Sequence, residues 1–221
     1  MFKWLFKSIK DNFPKLLLMA GIPVMGAIYG LVNNVNGGYK IMITPLDNYI
    51  PFVKEFIVFY MLWFPYIFLG MVYICSKDAK VYYRTISSLL LGMGISCVIF
   101  LVFQTYVPRP TVDGSDIFSK LVMFIYSTDK PYNCFPSLHV LESYVVMRGI
   151  HSISDKDKRV VIASDIIGVL IILSTQFVKQ HVIIDVVGGI YLGEVIFNGI
   201  PGLKRIIITL YKEVIKLPQK V

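Results

Sequence analysis

Apolar residues run along this chain in long blocks separated by short polar and charged stretches. A helical block of about twenty apolar residues matches the hydrocarbon thickness of a bilayer. Six blocks are legible, at about 14–32, 52–76, 85–107, 136–150, 160–178 and 182–202, the fourth being short. Each is expected to be a helix, because only helices and closed barrels satisfy their backbone groups in lipid. The blocks are too long and too evenly apolar for barrel strands, which alternate. Pro14, Pro23 and Pro65 start or kink helices, which spanning segments tolerate. The expected fold class is all-α: a polytopic membrane protein built as a six-transmembrane-helix bundle.

The flanks carry a different pattern. Residues 1–13 put Phe2, Leu5, Phe6, Ile9 and Phe13 on one helical face and lysines elsewhere, as an interfacial amphipathic helix does. Residues 203–217 repeat it with Leu203, Ile207, Leu210, Val214 and Leu217. No small-residue cleavage site follows the first apolar run, so the N-terminus does not read as a cleavable signal. The expected organisation is one membrane domain, 1–221, with a core at 50–202 and a cytoplasmic amphipathic tail at 203–221. The longest stretches outside the spans are about 33–51 and 108–135. The first holds Asn33, Asn34, Asn36, Gly37 and Gly38 and is a turn-prone loop.

Composition agrees. The chain is 56% apolar and 16% charged, against about half and about a quarter for soluble domains. With the N-terminus inside, only Lys40, Lys54, Arg109, Lys120, Lys130 and Lys179 fall outside; the remaining sixteen of 22 basic residues lie inside. That bias, with six spans, puts both termini in the cytoplasm. The net charge of +8 therefore reads as loops against an anionic leaflet, not as a nucleic-acid footprint. No basic cluster is interleaved with exposed aromatics, as base stacking requires. Cys75, Cys97 and Cys134 form no framework and read as packing residues.

This orientation brings the chemically interesting residues to the outer face. Arg109-Pro110 follows the third span, Pro136-Ser137-Leu138-His139 opens the fourth, and His181 and Asp185 open the sixth. Titratable groups at membrane depth are costly and so are usually kept for a use. The spacing of His181 and Asp185 predicts one helical face, one turn apart. A neutral imidazole is a nucleophile toward phosphorus, and a carboxylate on its other nitrogen fixes tautomer and orientation. His139 can act as general acid. Arg109 offers a planar fork for phosphate oxygens, and Lys179 a point charge. Ser137 and the amides opening the fourth span can also donate to an anion. Two histidines and an aspartate can in principle ligate a metal, but the added positive residues fit a metal-free phosphate pocket better, and no cofactor is expected. Glu142, one turn below His139, is either an interhelical hydrogen-bond partner or part of a lipid pocket. His151 reads as solvated, and Met61, Trp63, Phe64, Tyr66 and Phe68 as packing or lipid-facing.

The stretches V-F-Q-T-Y-V-P-R-P (102–110), F-P-S-L-H (135–139) and S-T-Q-F-V-K-Q-H-V-I-I-D (174–185) resemble the three motifs of the type 2 phosphatidic acid phosphatase superfamily, K-x6-R-P, P-S-G-H and S-R-x5-H-x3-D. The resemblance covers roughly residues 50–202. It implies a six-helix membrane core, His181 as nucleophile, Asp185 as its partner, His139 as acid, and Arg109, Ser137 and Ser174 as phosphate ligands. Three positions depart: Val102 stands where the motif has lysine, Leu138 where it has glycine, and Thr175 where it has arginine, a charge that Lys179 can replace. F-P-S-L-H with K-Q-H-x3-D looks closer to the branch containing inositol phosphorylceramide synthases, which move a phospho-head-group to another alcohol.

The expected activity is hydrolysis of a lipid phosphomonoester or diphosphate through a phosphohistidine at the outer face. Head-group transfer and a non-catalytic lipid-binding or transport role stand as alternatives. The expected partners are a lipid phosphate and membrane lipids, with no nucleic acid. The expected location is a bacterial cell membrane; in an organelle the same face would be lumenal.

Overall fold

The computed structural model describes residues 2–33 and 38–216, with side chains for 3–33 and 38–202. Among the described residues nine α-helices follow in order: α1 (Phe2–Leu16), α2 (Gly21–Val32), α3 (Ile57–Met61), α4 (Trp63–Lys77), α5 (Ala79–Val102), α6 (Ile117–Thr128), α7 (Leu138–His151), α8 (Lys158–Phe177) and α9 (Ile183–Lys216). The described residues contain no strand, only two isolated bridges, Lys40 with Thr105 and Tyr106 with Tyr132. The all-α expectation therefore holds.

Local chemistry sets the helix starts. Asp78 accepts from the Lys80 and Val81 amides at 2.8 and 3.1 Å, and Asp116 from Phe118 and Ser119 at the same distances. Asp157 accepts from Arg159 at 2.8 Å, and Ser137 from Val140 at 3.4 Å. Each such cap contributes about 1 kcal/mol.

Among the described residues five helical stretches are long and apolar enough to cross a membrane: Lys3–Val32, Lys54–Lys77, Ala79–Val102, Lys158–Phe177 and Ile183–Gly202. The first joins the expected interfacial helix to the first span, because α1 and α2 run on through a single 3-10 turn, Leu17–Ala20. Within it, Trp4 lies against Tyr73 of α4 at 6.3 Å, and the Tyr82 hydroxyl donates to Lys15 O at 2.9 Å. The third span ends at Val102, earlier than expected; Lys40 N bonds to Gln104 O and Tyr106 N to Lys40 O, which holds the following residues extended. The 108–135 stretch contains α6, started by Asp116. The expected apolar face of 203–217 lies outside the described side chains, while the backbone of α9 continues through Pro201.

The expected fourth span is the main difference. α7 has 14 residues, about 21 Å at 1.5 Å per residue, short of a hydrocarbon core of about 30 Å. Its surroundings explain the length. It packs against α4, α5, α8 and α9, and Leu141, Val145 and Val146 are fully buried. It meets protein rather than lipid, so the bilayer does not set its extent. Its neighbours present glycines to it. A Cβ at Gly70 would stand 2.5 Å from Val146, at Gly92 2.9 Å from Leu141, at Gly168 2.5 Å from Met147, and at Gly189 2.7 Å from Ser137 O. Small residues at such crossings let helices approach closely.

Gly189 is the tightest of these in consequence, since its neighbour is backbone. Gly189→Ala must push α9 away from the start of α7. We expect a loss of about 1–3 kcal/mol, read as a lower melting midpoint in detergent, together with reduced turnover. Wild-type melting and activity in that variant would contradict this packing.

The bundle has two chemically distinct ends. At one, Asn133 reaches Val32 O at 2.8 Å, Val53 N reaches Phe177 O at 2.9 Å, and Ser137 N reaches Asp185 O at 3.1 Å. At the other, Asp157 N meets the Tyr73 hydroxyl at 3.1 Å and Arg84 Nε meets Phe197 O at 2.8 Å. There Glu194 of α9 accepts from Arg148 Nε and the Tyr144 hydroxyl of α7, both at 2.8 Å. His151, expected to be solvated, is exposed and paired with Asp165 at 2.8 Å.

Candidate active site

The site begins with a chain reversal. α8 ends at Phe177, and Val178 N still bonds to Ser174 O at 2.9 Å. Lys179 adopts φ 53°, in the left-handed region, which turns the chain back. Gln180 N and His181 N then both donate to Thr175 O, at 3.0 and 3.1 Å. His181 therefore sits in the turn before α9, not on a helical face with Asp185 as the spacing predicted. The pair meets all the same. Asp185 Oδ2 accepts from Val182 N at 3.0 Å and lies 3.3 Å from His181 Nδ1. One oxygen thus caps the helix and orients the imidazole. With Nδ1 committed, Nε2 is the nitrogen left for chemistry. Asp185 is fully buried, and its Oδ1 has no hydrogen-bond partner among the described residues.

A second carboxylate supports this turn. Asp47 Oδ1 accepts from Ile183 N at 2.8 Å, while Oδ2 takes the Thr44 amide and hydroxyl, both at 2.7 Å. Asp47 carries no sequence signal for this site because it lies in a short 3-10 turn, Pro45–Tyr49, 136 residues upstream of Ile183; its one local signal is the Thr44–Asp47 capping box.

His139 occupies the first turn of α7. Its ring lies 4.5 Å from Tyr60 and 4.6 Å from Trp63, and its Nδ1 is 3.5 Å from the Tyr60 hydroxyl. The His139 and His181 rings are 6.2 Å apart. Both line a cavity of 360 Å³, together with Tyr29, Trp63, Asp129, Lys130, Asn133 and Glu142. His181 also borders a second cavity of 210 Å³ with Asp47, Gln176 and Lys179.

The four expected phosphate ligands are placed unevenly. Arg109 Nη1 donates to Asp129 O at 2.7 Å and Tyr126 O at 3.3 Å, Nη2 donates to the Gln180 side chain, and the guanidinium stacks 4.5 Å over Tyr126. It braces the segment after α6 against the turn that carries His181. Lys179 donates to Ile50 O and lines the smaller cavity. The Ser174 hydroxyl is buried and donates to Ile171 O at 2.6 Å. Ser137 caps α7 with its hydroxyl, and its amide ties α7 to Asp185 O.

Other residues enter that no motif announced. Lys130 lines the larger cavity, while Val102, at the position of the missing lysine, is 80% exposed at the end of α5. Asp129 accepts from the Tyr29 hydroxyl at 2.7 Å and from Asn33 at 3.3 Å, which draws α2 into the site. Glu142 is buried on the same wall.

Cys134 lies beside the His181–Asp185 pair. One ligand atom each from Cys134, His181 and Asp185 lie within 4.8 Å of one another, close enough to gather about a metal ion. A metal would need the thiolate. Burial, reinforced by the Asp185 and Asp129 carboxylates, pushes the Cys134 thiol well above its ordinary range, and Sγ lies 3.5 Å from Pro131 O as a donor.

The apolar helices mark an integral membrane protein. No curated protein and no solved structure gives a significant match to the chain. A model of the PAP2 superfamily, a family that supports phosphatase-type activity, matches residues 46–198, a segment holding Arg109, His139, His181 and Asp185. Since that match spans most of the chain, the protein belongs to the PAP2 superfamily.

Proposed function

We propose that this protein transfers the phosphoryl group of a lipid phosphate to His181 and then to water. The observation that carries this reading is the buried His181–Asp185 pair facing His139 across one cavity, with the two imidazoles 6.2 Å apart. Both imidazoles border the space that a phosphoryl group would enter.

In the first step His181 Nε2 attacks phosphorus and forms a P–N bond. The bond to the leaving oxygen breaks, and His139 delivers a proton to it. Asp185 holds the Nδ1 proton and balances the charge that develops on the ring. In the second step His139 takes a proton from water, the water oxygen bonds to phosphorus, and the P–N bond breaks. Inorganic phosphate leaves and both histidines return to their starting forms. The amino end of α7 and Lys130 supply positive potential where charge builds on the phosphoryl oxygens. Lys179 can join from the smaller cavity by exchanging Ile50 O for a phosphate oxygen. In this reading Arg109, Ser137 and Ser174 act from behind the cavities, holding the surrounding segments through Asp129 O and Gln180, Val140 N and Ile171 O respectively. The reaction needs no metal.

The site opens away from the cytoplasm in this account, because Lys77, Lys80, Arg84, Arg148, Lys156, Lys158 and Arg159 flank the helix ends remote from His181. Transfer to a second alcohol, as in the inositol phosphorylceramide synthase-like branch, is the other reading. It is favoured by His181 bordering two cavities, one for each substrate.

A detergent-micelle assay with chelator decides between them. A panel of lipid monophosphates and diphosphates is followed for inorganic phosphate and for new lipids. Phosphate release without an added alcohol supports hydrolysis. A new phospholipid that requires an added alcohol, with little phosphate, overturns hydrolysis in favour of transfer. Neither product from folded protein overturns both.

A further inference from the structure

Two polar groups in the larger cavity have no part in the chemistry above. Glu142 follows His139 by three positions on α7, so it lies about 4.5 Å further along the helix axis. It is 1% exposed. Neither of its carboxyl oxygens has a hydrogen-bond partner among the described residues, and neither does the Trp63 indole nitrogen. The indole stands beside the carboxyl without closing a hydrogen bond to it in good geometry. Buried polar groups are costly unless satisfied, so a carboxyl whose nearest donor, the indole N–H, meets it only in poor geometry leaves hydrogen-bonding capacity that a ligand can complete.

Their location says what kind. Trp63 and Glu142 line the 360 Å³ cavity that holds His139 and His181. The same two residues also line a separate 310 Å³ cleft, whose other walls are apolar: Phe13, Leu17, Ile22, Phe64 and Ile67 among them. The pair therefore stands on the wall shared by the space beside the histidines and a space fit for a hydrocarbon chain.

We propose that Glu142 and Trp63 form a subsite for a free hydroxyl carried by the lipid between its phosphate and its acyl chain. The proposal rests on the lipid-phosphate reading above and narrows its substrate class. A hydroxyl both donates and accepts, so one group satisfies the carboxyl oxygen and the indole N–H together. An ammonium only donates and would leave the N–H unpaired; a methylene would leave both. The order along the wall is phosphate at the histidines, hydroxyl one turn deeper, and chain in the cleft. The preferred lipids are those with a hydroxyl on the carbon next to the one bearing the phosphate ester.

The test compares 1-acylglycerol 3-phosphate with its analogue lacking the 2-hydroxyl. A site built to hydrogen-bond a substrate hydroxyl discriminates strongly against its absence, so wild type should favour the hydroxylated lipid by at least about tenfold in kcat/KM. In Glu142→Leu and Trp63→Phe that ratio should fall to near one, with Glu142→Gln retaining part of it. A second measurement does not need turnover. The chain has two tryptophans, so in a Trp4→Phe, His181→Ala protein the emission reports Trp63 alone. The hydroxylated lipid should shift it at lower concentration than the analogue. Phosphate release with equal kcat/KM for the two lipids overturns the subsite and leaves the reaction standing. Tighter binding of the hydroxylated lipid with no turnover of either in wild type keeps the subsite and overturns the reaction. Equal binding of the two lipids overturns the subsite even if the Glu142 variants do not fold.

Discussion

His181→Ala should release no phosphate above background from any lipid that the wild-type protein cleaves. The expected loss in kcat is about four orders of magnitude or more, as for a covalent nucleophile removed from a site whose other parts depend on it. Position sets His181 apart. The ring is held through Nδ1 by Asp185 and borders both cavities. No other imidazole meets a buried carboxylate in this way among the described residues: His139 is enclosed by Tyr60 and Trp63, and His151 pairs with an exposed Asp165 at the remote end. Folding should survive the change. The turn is fixed by backbone bonds to Thr175 O and by Asp47 on Ile183 N, none of which uses the imidazole. The variant should therefore melt within a few degrees of wild type. Retention of a tenth or more of the wild-type rate would remove His181 from the reaction.

Asp185→Asn should lower kcat by about three orders of magnitude with little change in KM, as when an orienting aspartate is made neutral beside a catalytic histidine. Asp185 Oδ2 receives both Val182 N and His181 Nδ1. An asparagine oxygen can keep those two contacts, so the turn and the helix start persist. What goes is the negative charge that balances the imidazolium during transfer. Substrate binding relies on other groups, which is why KM should hold. A kcat within about threefold of wild type, far below the loss expected for an orienting group, would assign Asp185 a purely structural role. Simultaneous loss of folding would be seen in the melt and would be resolved with Asp185→Glu, which keeps the charge.

The sequence and the structure agree where physics is local, and part where it is not. The apolar blocks were readable because a bilayer imposes length on lipid-facing helices. α7 escaped that rule because it is wrapped by four other helices and meets almost no lipid, so its pattern carries no span-length signature. His181 and Asp185 were readable as a pair from their spacing. Their actual arrangement was not, since the left-handed Lys179 and the double bond to Thr175 O end α8 before His181. Arg109 is visible in the sequence as a cation close to the candidate site. That it braces the segment after α6 through Asp129 O and Gln180 depends on partners 20 and 71 residues away. Asp47, Asp129 and Lys130 lie in connecting segments with no periodicity to betray them. Glu142 is legible by its spacing from His139, but its imperfect contact with Trp63 and its place on the wall of two cavities are tertiary facts.

The central claim is that phosphorus passes through His181. The direct measurement is a rapid quench of wild-type protein with a lipid carrying radiolabelled phosphate, followed by mapping of the label. The account predicts a base-stable, acid-labile phosphoryl group on His181, formed and lost at rates consistent with turnover and absent from His181→Ala. Steady turnover with no label on His181 at any quench time, or with the label on another residue, would contradict it.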